Sequence, residues 1–277
     1  MAPIIVTGAS GSMGRIAAKE LAQEGVPVIL ACRNLERGRK LMDEILAVVP
    51  DARLELLQLD LESEAGVRSF VDALQGRPLA GIFNNAGTMC RHYSLTADGR
   101  ERTMAVNFFM PALLTRLLLP QFEPGARIVN MVSLSLKFSS LSLGDLNVSE
   151  KDFGQIRTYG KSKLALLLWT VALARHYPQF HVNVADPGIV DSKMIRMDRW
   201  FDPLTDILFR PFANTPEKGV RPALAALHAD GSSHTDGSLC AGATLRYFVG
   251  RRSSEIPAKY LRNPLAEQLW DHLNRLR

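Results

Sequence analysis

A short apolar strand, a glycine-rich turn and a helix open the chain, and this arrangement restricts the fold more than any other feature. Residues 3–7 are apolar and run directly into a turn before a helical pattern over 15–23; the turn reads Gly8, Ala9, Ser10, Gly11, Ser12, Met13, Gly14. Such a turn points backbone N–H groups outward from the positive end of a helix, where a pyrophosphate binds. The stretch predicts a dinucleotide-binding unit, with a plain strand-to-helix connection as the alternative.

Strand-like and helix-like segments then alternate along the chain. Strands are predicted over residues 26–32, 54–59, 79–83, 126–132 and 180–185, and helices over 35–49, 64–74, 101–122 and 159–174. Repeated strand–helix units favour right-handed crossovers. We therefore expect an α/β fold with a single Rossmann-type doubly wound parallel sheet flanked by helices. With 277 residues, 47% of them hydrophobic, residues 1–277 fit one dinucleotide-binding domain.

Charge and cysteine content narrow the class of protein. The net charge of +5 is spread along the chain without a dense basic cluster, so no nucleic acid partner is expected. Cys32, Cys90 and Cys240 are an odd number without metal-type spacing, and the histidines show no ligand spacing either. We expect no metal and a reduced, cytoplasmic protein. The first strand starts by Pro3 and no apolar run approaches the roughly 20 residues of a membrane span, so neither a signal peptide nor a transmembrane segment is expected.

The ends of the predicted strands carry candidate cofactor contacts. Arg33 follows the second strand, where NAD-binding sites place a carboxylate for the ribose 2′-hydroxyl. Its guanidinium can pair with a 2′-phosphate, so the sequence predicts NADP(H) in preference to NAD(H), with a solvated arginine as the alternative. Asp60, followed by Leu61, suits an adenine contact, although Asp60 could equally cap the next helix.

Small and polar residues mark the later strand ends. Asn85, Ala86 and Gly87 stand where the backbone must pass close to a cofactor. Ser133 ends the strand over 126–132 and can donate a hydrogen bond to a substrate oxygen. Asn107 interrupts the helix predicted over 101–122, where a functional role competes with a polar core contact.

Tyr159 and Lys163 stand four residues apart at the start of an apolar helical run over 164–174. Four residues make just over one helical turn, so both side chains share a face, and the ammonium is expected to lower the pKa of the phenol from about 10. A tyrosine tuned in this way can give a proton to a carbonyl or take one from an alcohol. A chance pair on a solvated helix face is the alternative.

Together these motifs resemble the short-chain dehydrogenase/reductase family. The resemblance rests on residues 7–14, 84–87, Asn107, Ser133, Tyr159 with Lys163, and Pro187 with Gly188. Residues 31–34, 215–219 and Tyr247 with Phe248 are similar to the retinol dehydrogenase and WW-domain oxidoreductase branch.

The resemblance implies a role for each matching residue. Tyr159 is the proton donor or acceptor, Lys163 holds the nicotinamide ribose, and Ser133 orients the substrate carbonyl. Asn107 fixes a water in a proton relay through Lys163. Further cofactor contacts are implied at the nicotinamide end, by Pro187, Gly188, Val190 and Ser192.

Three positions depart from the family pattern. Ser12 replaces a turn glycine and could crowd the pyrophosphate, which leaves a catalytically idle NADP-binding redox sensor or scaffold as the alternative function. Val132 replaces the first of two serines, so Ser135 is a second candidate beside Ser133. Asp186 stands where close relatives often carry His, and the sequence offers no account of it.

The segment at about 189–215 corresponds to the family's substrate lid. Its apolar residues, among them Met194, Trp200 and Phe201, imply a hydrophobic steroid-, retinoid- or lipid-like substrate. Packing on the core is one alternative use of this stripe, and peripheral contact with a membrane is another. Family members commonly pair through the tyrosine-bearing helix, so a homodimer or homotetramer is expected.

Overall fold

Eight strands form the centre of the computed structural model, which describes residues 1–190, 214–229 and 244–275. They are β1 (Ile4–Thr7), β2 (Val28–Cys32), β3 (Leu54–Gln58), β4 (Leu79–Asn84), β5 (Phe122–Met131), β6 (His181–Asp186), β7 (Thr244–Val249) and β8 (Arg252–Glu255). Their order is β3-β2-β1-β4-β5-β6-β7-β8, and every neighbouring pair is parallel except β7 with β8. The order reverses between β1 and β4, so the predicted doubly wound sheet is confirmed.

Helices cover both faces of this sheet. They are α1 (Ser12–Gln23), α2 (Leu35–Leu46), α3 (Glu64–Ala73), α4 (Arg102–Met104), α5 (Met110–Leu118), α6 (Gln155–His176), α7 (Pro216–His228), α8 (Ala258–Leu261) and α9 (Leu265–Arg275). One apolar cluster joins α1, α2 and α7 to the sheet, and a second joins α3, α5 and α6 to it. Because both faces are covered, β1 and β2 are buried along their whole length.

The segment predicted as one helix over 101–122 is divided in the structure. The α4 turn leads into a π-helical turn at Ala105–Phe109, then α5, and a 3-10 turn at Leu119–Gln121 ends it. Pro111 has no N–H for the carbonyl four residues before it, which is that of Asn107, and the wider turn lies there. The prediction of one continuous helix is wrong, and β5 begins as early as Phe122.

The same stretch is apolar enough to raise the question of a membrane. Arg102–Gln121 has the length and hydropathy of a membrane-crossing segment, which the sequence analysis did not single out. Within the fold, 83% of that apolar window is buried. Core helices of folded domains meet the same criteria, so the stretch is weak evidence for a membrane span.

Short 3-10 helices make up much of the arm between β5 and α6, residues 134–152. They cover Leu134–Phe138, Leu143–Leu146 and Glu150–Asp152. Lys161 of α6 pairs with Asp145, and the Asp145 carboxylate also accepts from the backbone N–H of Ser142 at 2.8 Å. The ion pair holds the arm against the first turns of α6.

The C-terminal helix α9 packs on α6. Trp270 stacks on Trp169 with ring centroids 6.2 Å apart and on His176 at 4.5 Å. Glu267 adds ion pairs with Arg175 and His176, each at 2.9 Å. Residues 164–174 of α6 are therefore buried within one chain. The apolar side chains of α6 are covered internally, while the oligomeric state stays a prediction.

We expect Trp270→Ala to destabilise the protein by about 3–5 kcal/mol, because it removes a large aromatic side chain packed against Trp169 and His176. Urea unfolding followed by circular dichroism measures the change. Asn274→Ala, at an exposed position of α9, is the control and should leave the midpoint unchanged. Equal midpoints for both variants would show that α9 contributes little to the core.

Candidate active site

The predicted site residues gather at the carboxyl edge of the sheet. The glycine turn follows β1, Asn85 follows β4, Ser133 follows β5 shortly after its last residue, and Pro187 follows β6. The edge includes the point between β1 and β4 where the strand order reverses, which is where open α/β sheets bind ligands. The structure thus places on one crevice what the sequence distributes over 180 residues.

The glycine turn has the close packing that a phosphate-binding turn requires. Gly8 has a φ of +60°, and a Cβ there would lie 3.0 Å from the Cα of Ala86. A Cβ on Gly14 would lie 2.4 Å from the carbonyl oxygen of Gly8. Only glycine fits either position without a shift of the backbone.

The start of α1 fits an anionic cofactor. This helix begins at Ser12, and its N-cap residue Gly11 has no side chain to satisfy the first N–H groups. The first turn carries no acidic residue, so its positive dipole end is not neutralised. Ser12 itself is exposed. The residues present therefore suit the pyrophosphate of a dinucleotide.

Thr7, which the sequence analysis did not choose as a site residue, ties this turn to the neighbouring strand end. Its hydroxyl accepts from the backbone N–H groups of Asn85 and Ala86, both at 3.0 Å. The amide of Asn85 donates back to the carbonyl oxygen of Thr7 at 2.9 Å. Thr7 is the last residue of β1 before Gly8, and that position is the signal that could have identified it.

A buried chain of amides and hydroxyls lies beneath the site. Asn84 donates to Thr115 at 2.9 Å and to Asn130 at 2.8 Å, and Asn130 donates to Thr170 at 2.8 Å. These bonds join β4, β5, α5 and α6. Sequence reasoning missed this chain because its members are separated by 86 positions. An asparagine within a buried strand was the available signal.

Tyr159 projects from the first turns of α6 toward the end of β5. The Ser133 side chain lies beside the Tyr159 phenol, close enough to act on its pKa. Burial raises the pKa of that phenol above its ordinary value, against the lowering by Ser133, and the carboxylate of Asp186 adds to the rise. The prediction that the Tyr159 pKa lies below its ordinary value is therefore wrong, because burial outweighs the groups that favour the phenolate. The second serine candidate, Ser135, has no hydrogen-bond partner for its buried hydroxyl within the described residues.

Lys163 lies beneath the tyrosine with only 3% of its surface exposed. Its ammonium donates to the carbonyl oxygen of Met131 at 2.8 Å and is 5.8 Å from the centre of the Tyr159 ring. Burial lowers the pKa of Lys163 to about 8, and Asp186 opposes that change. The prediction that Tyr159 and Lys163 share a helix face is confirmed. The ammonium of Lys163, however, donates its hydrogen bond to β5.

Asn107 is fully buried in the π-helical turn. Its carbonyl accepts from the backbone N–H of Thr88 at 2.8 Å, and its amide donates to the Thr88 carbonyl at 2.8 Å and to Ser162 at 3.0 Å. A Cβ on Gly87 would lie 3.2 Å from Asn107 and 3.5 Å from Lys163. Asn107 therefore joins the loop after β4 to α6, close to the lysine.

Asp186, the residue for which the sequence offered no account, is a bonded buried carboxylate. It accepts from the Tyr247 hydroxyl at 2.7 Å and from the backbone N–H of Gly188 at 2.9 Å. Burial and the neighbouring Asp186 raise the pKa of Tyr247, so this phenol stays a donor. The carboxylate holds the turn formed by Pro187 and Gly188. Gly188 has a φ of +70°.

The rest of the nicotinamide-end prediction is described only in part. The side-chain amide of Asn214 donates to the carbonyl oxygen of Pro187 at 3.1 Å, and its backbone N–H donates to that of Ile189 at 2.7 Å. These bonds attach the residue two positions before α7 to the turn after β6. A Cβ on Gly219 would meet Val190 at 2.6 Å and Met13 at 3.2 Å, so Val190 does lie near the glycine turn. Ser192 and most of the lid predicted over 189–215 lie outside the described residues.

The adenine end is formed by the loops after β2 and β3. Asn34, not Arg33, caps α2, and Arg33 is exposed and ion-paired with Glu62. Ser63 caps α3, so the alternative that Asp60 caps this helix is wrong. The Asp60 carboxylate instead accepts from the backbone N–H of Glu62 at 2.9 Å, and Leu61 is buried beside it.

Comparisons with known proteins agree with this geometry. The sequence model of a family described as short chain dehydrogenase matches residues 2–200. Retinol dehydrogenase 12 of Bos taurus is 32% identical over 274 residues, which cover 97% of this chain and 84% of that protein. Polyprenol dehydrogenase of Mus musculus is 36% identical over 208 residues, covering 71% of this chain and 62% of that protein. The solved structure of an uncharacterised protein from Mycobacterium paratuberculosis has a TM-score of 0.77 and 26% identity, covering 100% of this chain and 93% of its own.

We expect the stability of wild type relative to Lys163→Met to rise as the pH increases from about 8 to about 10.5. Below this window the lysine is charged in both states, and burial of the charge opposes folding. Since the unfolded chain binds more protons within the window, raising the pH removes that penalty. Urea unfolding of both proteins across the window measures the difference, and a difference that stays constant with pH would contradict the lowered pKa.

Tyr247→Phe should destabilise the protein by about 1–3 kcal/mol, because it leaves the buried Asp186 with one hydrogen-bond donor instead of two. Tyr260→Phe is a matched control, since the buried hydroxyl of Tyr260 has no partner within the described residues. Thermal unfolding compares the two. A larger loss for the Tyr260 variant would contradict the role given to Tyr247.

Proposed function

The chain belongs to the short-chain dehydrogenase family and is an oxidoreductase, and on this premise we propose that it interconverts a carbonyl and an alcohol on a hydrophobic substrate with NADP(H). The observation that carries the proposal is the meeting of Ser133, Tyr159 and Lys163 at the sheet edge that also bears the glycine turn. The predicted resemblance to the retinol dehydrogenase branch is confirmed.

Tyr159 is the proposed proton donor in reduction and acceptor in oxidation. When bound, the nicotinamide ring supplies or accepts the hydride, and the protein handles the accompanying proton. The Ser133 side chain lies beside the Tyr159 phenol, so a substrate oxygen placed between them would lie within reach of both groups. Ser133 thereby orients the oxygen, and Tyr159 exchanges the proton.

Lys163 is the proposed electrostatic partner of that tyrosine. A buried ammonium close to the phenol favours the phenolate that forms when Tyr159 gives up its proton. Contact with the nicotinamide ribose is proposed for the same ammonium. Asn107, joined to Ser162 and facing the glycine that adjoins Lys163, is proposed to fix a water that relays the proton onward.

The cofactor preference rests on the residues after β2. No carboxylate follows that strand, and the exposed guanidinium of Arg33 is available for a 2′-phosphate if it releases Glu62. Contacts to the rest of the dinucleotide are proposed for Gly8, Ser10, Gly11, Ser12, Met13, Gly14, Asp60, Leu61, Asn85, Ala86, Gly87, Pro187, Gly188, Val190 and Ser192.

Two observations support a hydrophobic substrate. The two relatives are named after retinol and polyprenol, which are both isoprenoid alcohols. Apolar side chains are also exposed around the arm and the turn that flank Tyr159, namely Phe138, Leu143, Ile156 and Ile189. A steroid-, retinoid- or lipid-like ketone, aldehyde or alcohol suits such surroundings.

A reduced cytoplasmic setting, peripheral membrane contact and a homodimer or homotetramer remain part of the proposal. The thiols of Cys32 and Cys90 are free, which supports a reducing compartment. Light scattering at micromolar concentration tests self-association, and a monomeric mass would contradict it. Flotation with liposomes tests membrane contact.

The function is tested by titrating the purified protein with NADPH and NADH and then adding hydrophobic ketones and aldehydes. We expect Tyr159→Phe to lower kcat about 100-fold or more while NADPH still binds, because proton transfer is lost and the cofactor contacts remain. Tyr260→Phe is the control and should keep full turnover. NADPH binding by wild type without turnover of any substrate would favour the redox sensor instead.

A further inference from the structure

Glu62 holds the arginine on which the cofactor preference depends. Its carboxylate pairs with the guanidinium of Arg33 through one oxygen and with that of Arg102 at 3.3 Å through the other. Arg33 follows β2, Glu62 follows β3 and Arg102 begins α4, so three separate loops meet at this ion pair. The cluster lies at the carboxyl edge of the sheet, on the adenine side of the crevice.

The backbone around Glu62 fixes where this carboxylate lies. Its N–H donates to the Asp60 carboxylate at 2.9 Å, and Leu61 between them is buried in the apolar cluster of α3 and α5. Glu62 is also the less exposed partner of the pair, at 28% of its side chain against 67% for Arg33. The backbone at Glu62 is therefore fixed by its bond to Asp60, and Arg33 is the more exposed member of the ion pair.

We propose that Glu62 is a specificity-determining residue that competes with the 2′-phosphate of NADP(H) for Arg33 and so narrows the preference for NADP(H) over NAD(H). This inference rests on the proposed cofactor. A 2′-phosphate must take Arg33 away from Glu62, whereas a 2′-hydroxyl leaves the ion pair intact. The carboxylate also repels a phosphate brought near it, which adds to the cost for NADP(H) alone.

Arg102 limits the free-energy cost that Glu62 adds to NADP(H) binding. When Arg33 turns to the phosphate, Glu62 keeps its second partner, so no carboxylate is left unpaired. A partly exposed ion pair contributes little to stability, which is what an exchangeable partner requires. Arg102 is thus a positioning residue, because it acts on the cofactor preference through Glu62.

The test is a fluorescence titration of the full chain with NADPH and with NADH at low ionic strength, where ion pairs are least screened. We expect Glu62→Gln to raise the ratio of the NADH to the NADPH dissociation constant roughly 2- to 5-fold, mainly through tighter NADPH binding. Glu55→Gln is the matched control, because Glu55 is also a partly exposed, ion-paired carboxylate of the β3 segment but pairs with Arg77. Its ratio should equal that of wild type.

A double-mutant cycle tests the part played by Arg102. Arg102→Gln alone should weaken NADPH binding relative to NADH, because the released Glu62 is then unpaired. In the Glu62→Gln background the same substitution should leave the ratio unchanged. An equal loss in both backgrounds would mean that Arg102 meets the phosphate directly, which overturns its action through Glu62.

The outcomes separate this inference from the proposed function. If wild type binds both cofactors and Glu62→Gln leaves their ratio unchanged, the competition is overturned while the cofactor assignment stands. If wild type binds neither cofactor, the proposed function and this inference both fail. Cofactor binding does not depend on turnover, so the titration can be interpreted even when the substrate is unknown.

Discussion

Burial of the parallel sheet on both faces is the constraint on which the rest of the structure depends. Helices on each side leave the strand interiors apolar, so polar side chains that must reach a ligand can leave the sheet only where strands end. Parallel strands bring those ends to one edge. The glycine turn, Ser133 and the turn of Pro187 are neighbours for this reason, although they are far apart along the chain.

Several polar side chains within the apolar interior are bonded to one another, and they connect the central strands with α6. Asn84, Asn130 and Thr170 connect two central strands with α6, and Lys163 is attached to the carbonyl of Met131 at the end of β5. Since an unpaired polar group is costly inside a protein, these bonds allow few alternative arrangements. They fix the helix that bears Tyr159 against the strand that leads to Ser133.

What the sequence predictions missed has physical causes, one of them local and the others involving distant residues. The break near Asn107 required recognising that Pro111 removes a hydrogen bond from the preceding turn. The pKa of Tyr159 depends on its burial and on Asp186, which follows it by 27 positions. The buried carboxylate of Asp186 is explained by its hydrogen bond from Tyr247 of β7, which lies 61 positions later in the chain. The contacts of Asp186 with Tyr159 and Tyr247 do not follow from local pattern.

Periodicity, glycine spacing and residue type were enough to determine the class of sheet, the glycine turn before α1 and the shared helix face of Tyr159 and Lys163, because these depend on neighbours within one or two turns or one strand. The pairing of Arg33 with Glu62, the bonding of Asp186 and the covering of α6 by α9 were decided only by the tertiary structure. Such contacts join segments whose separation along the chain carries no information about their distance in space. They form when packing and charge bring the segments together, and a one-dimensional pattern does not record that step.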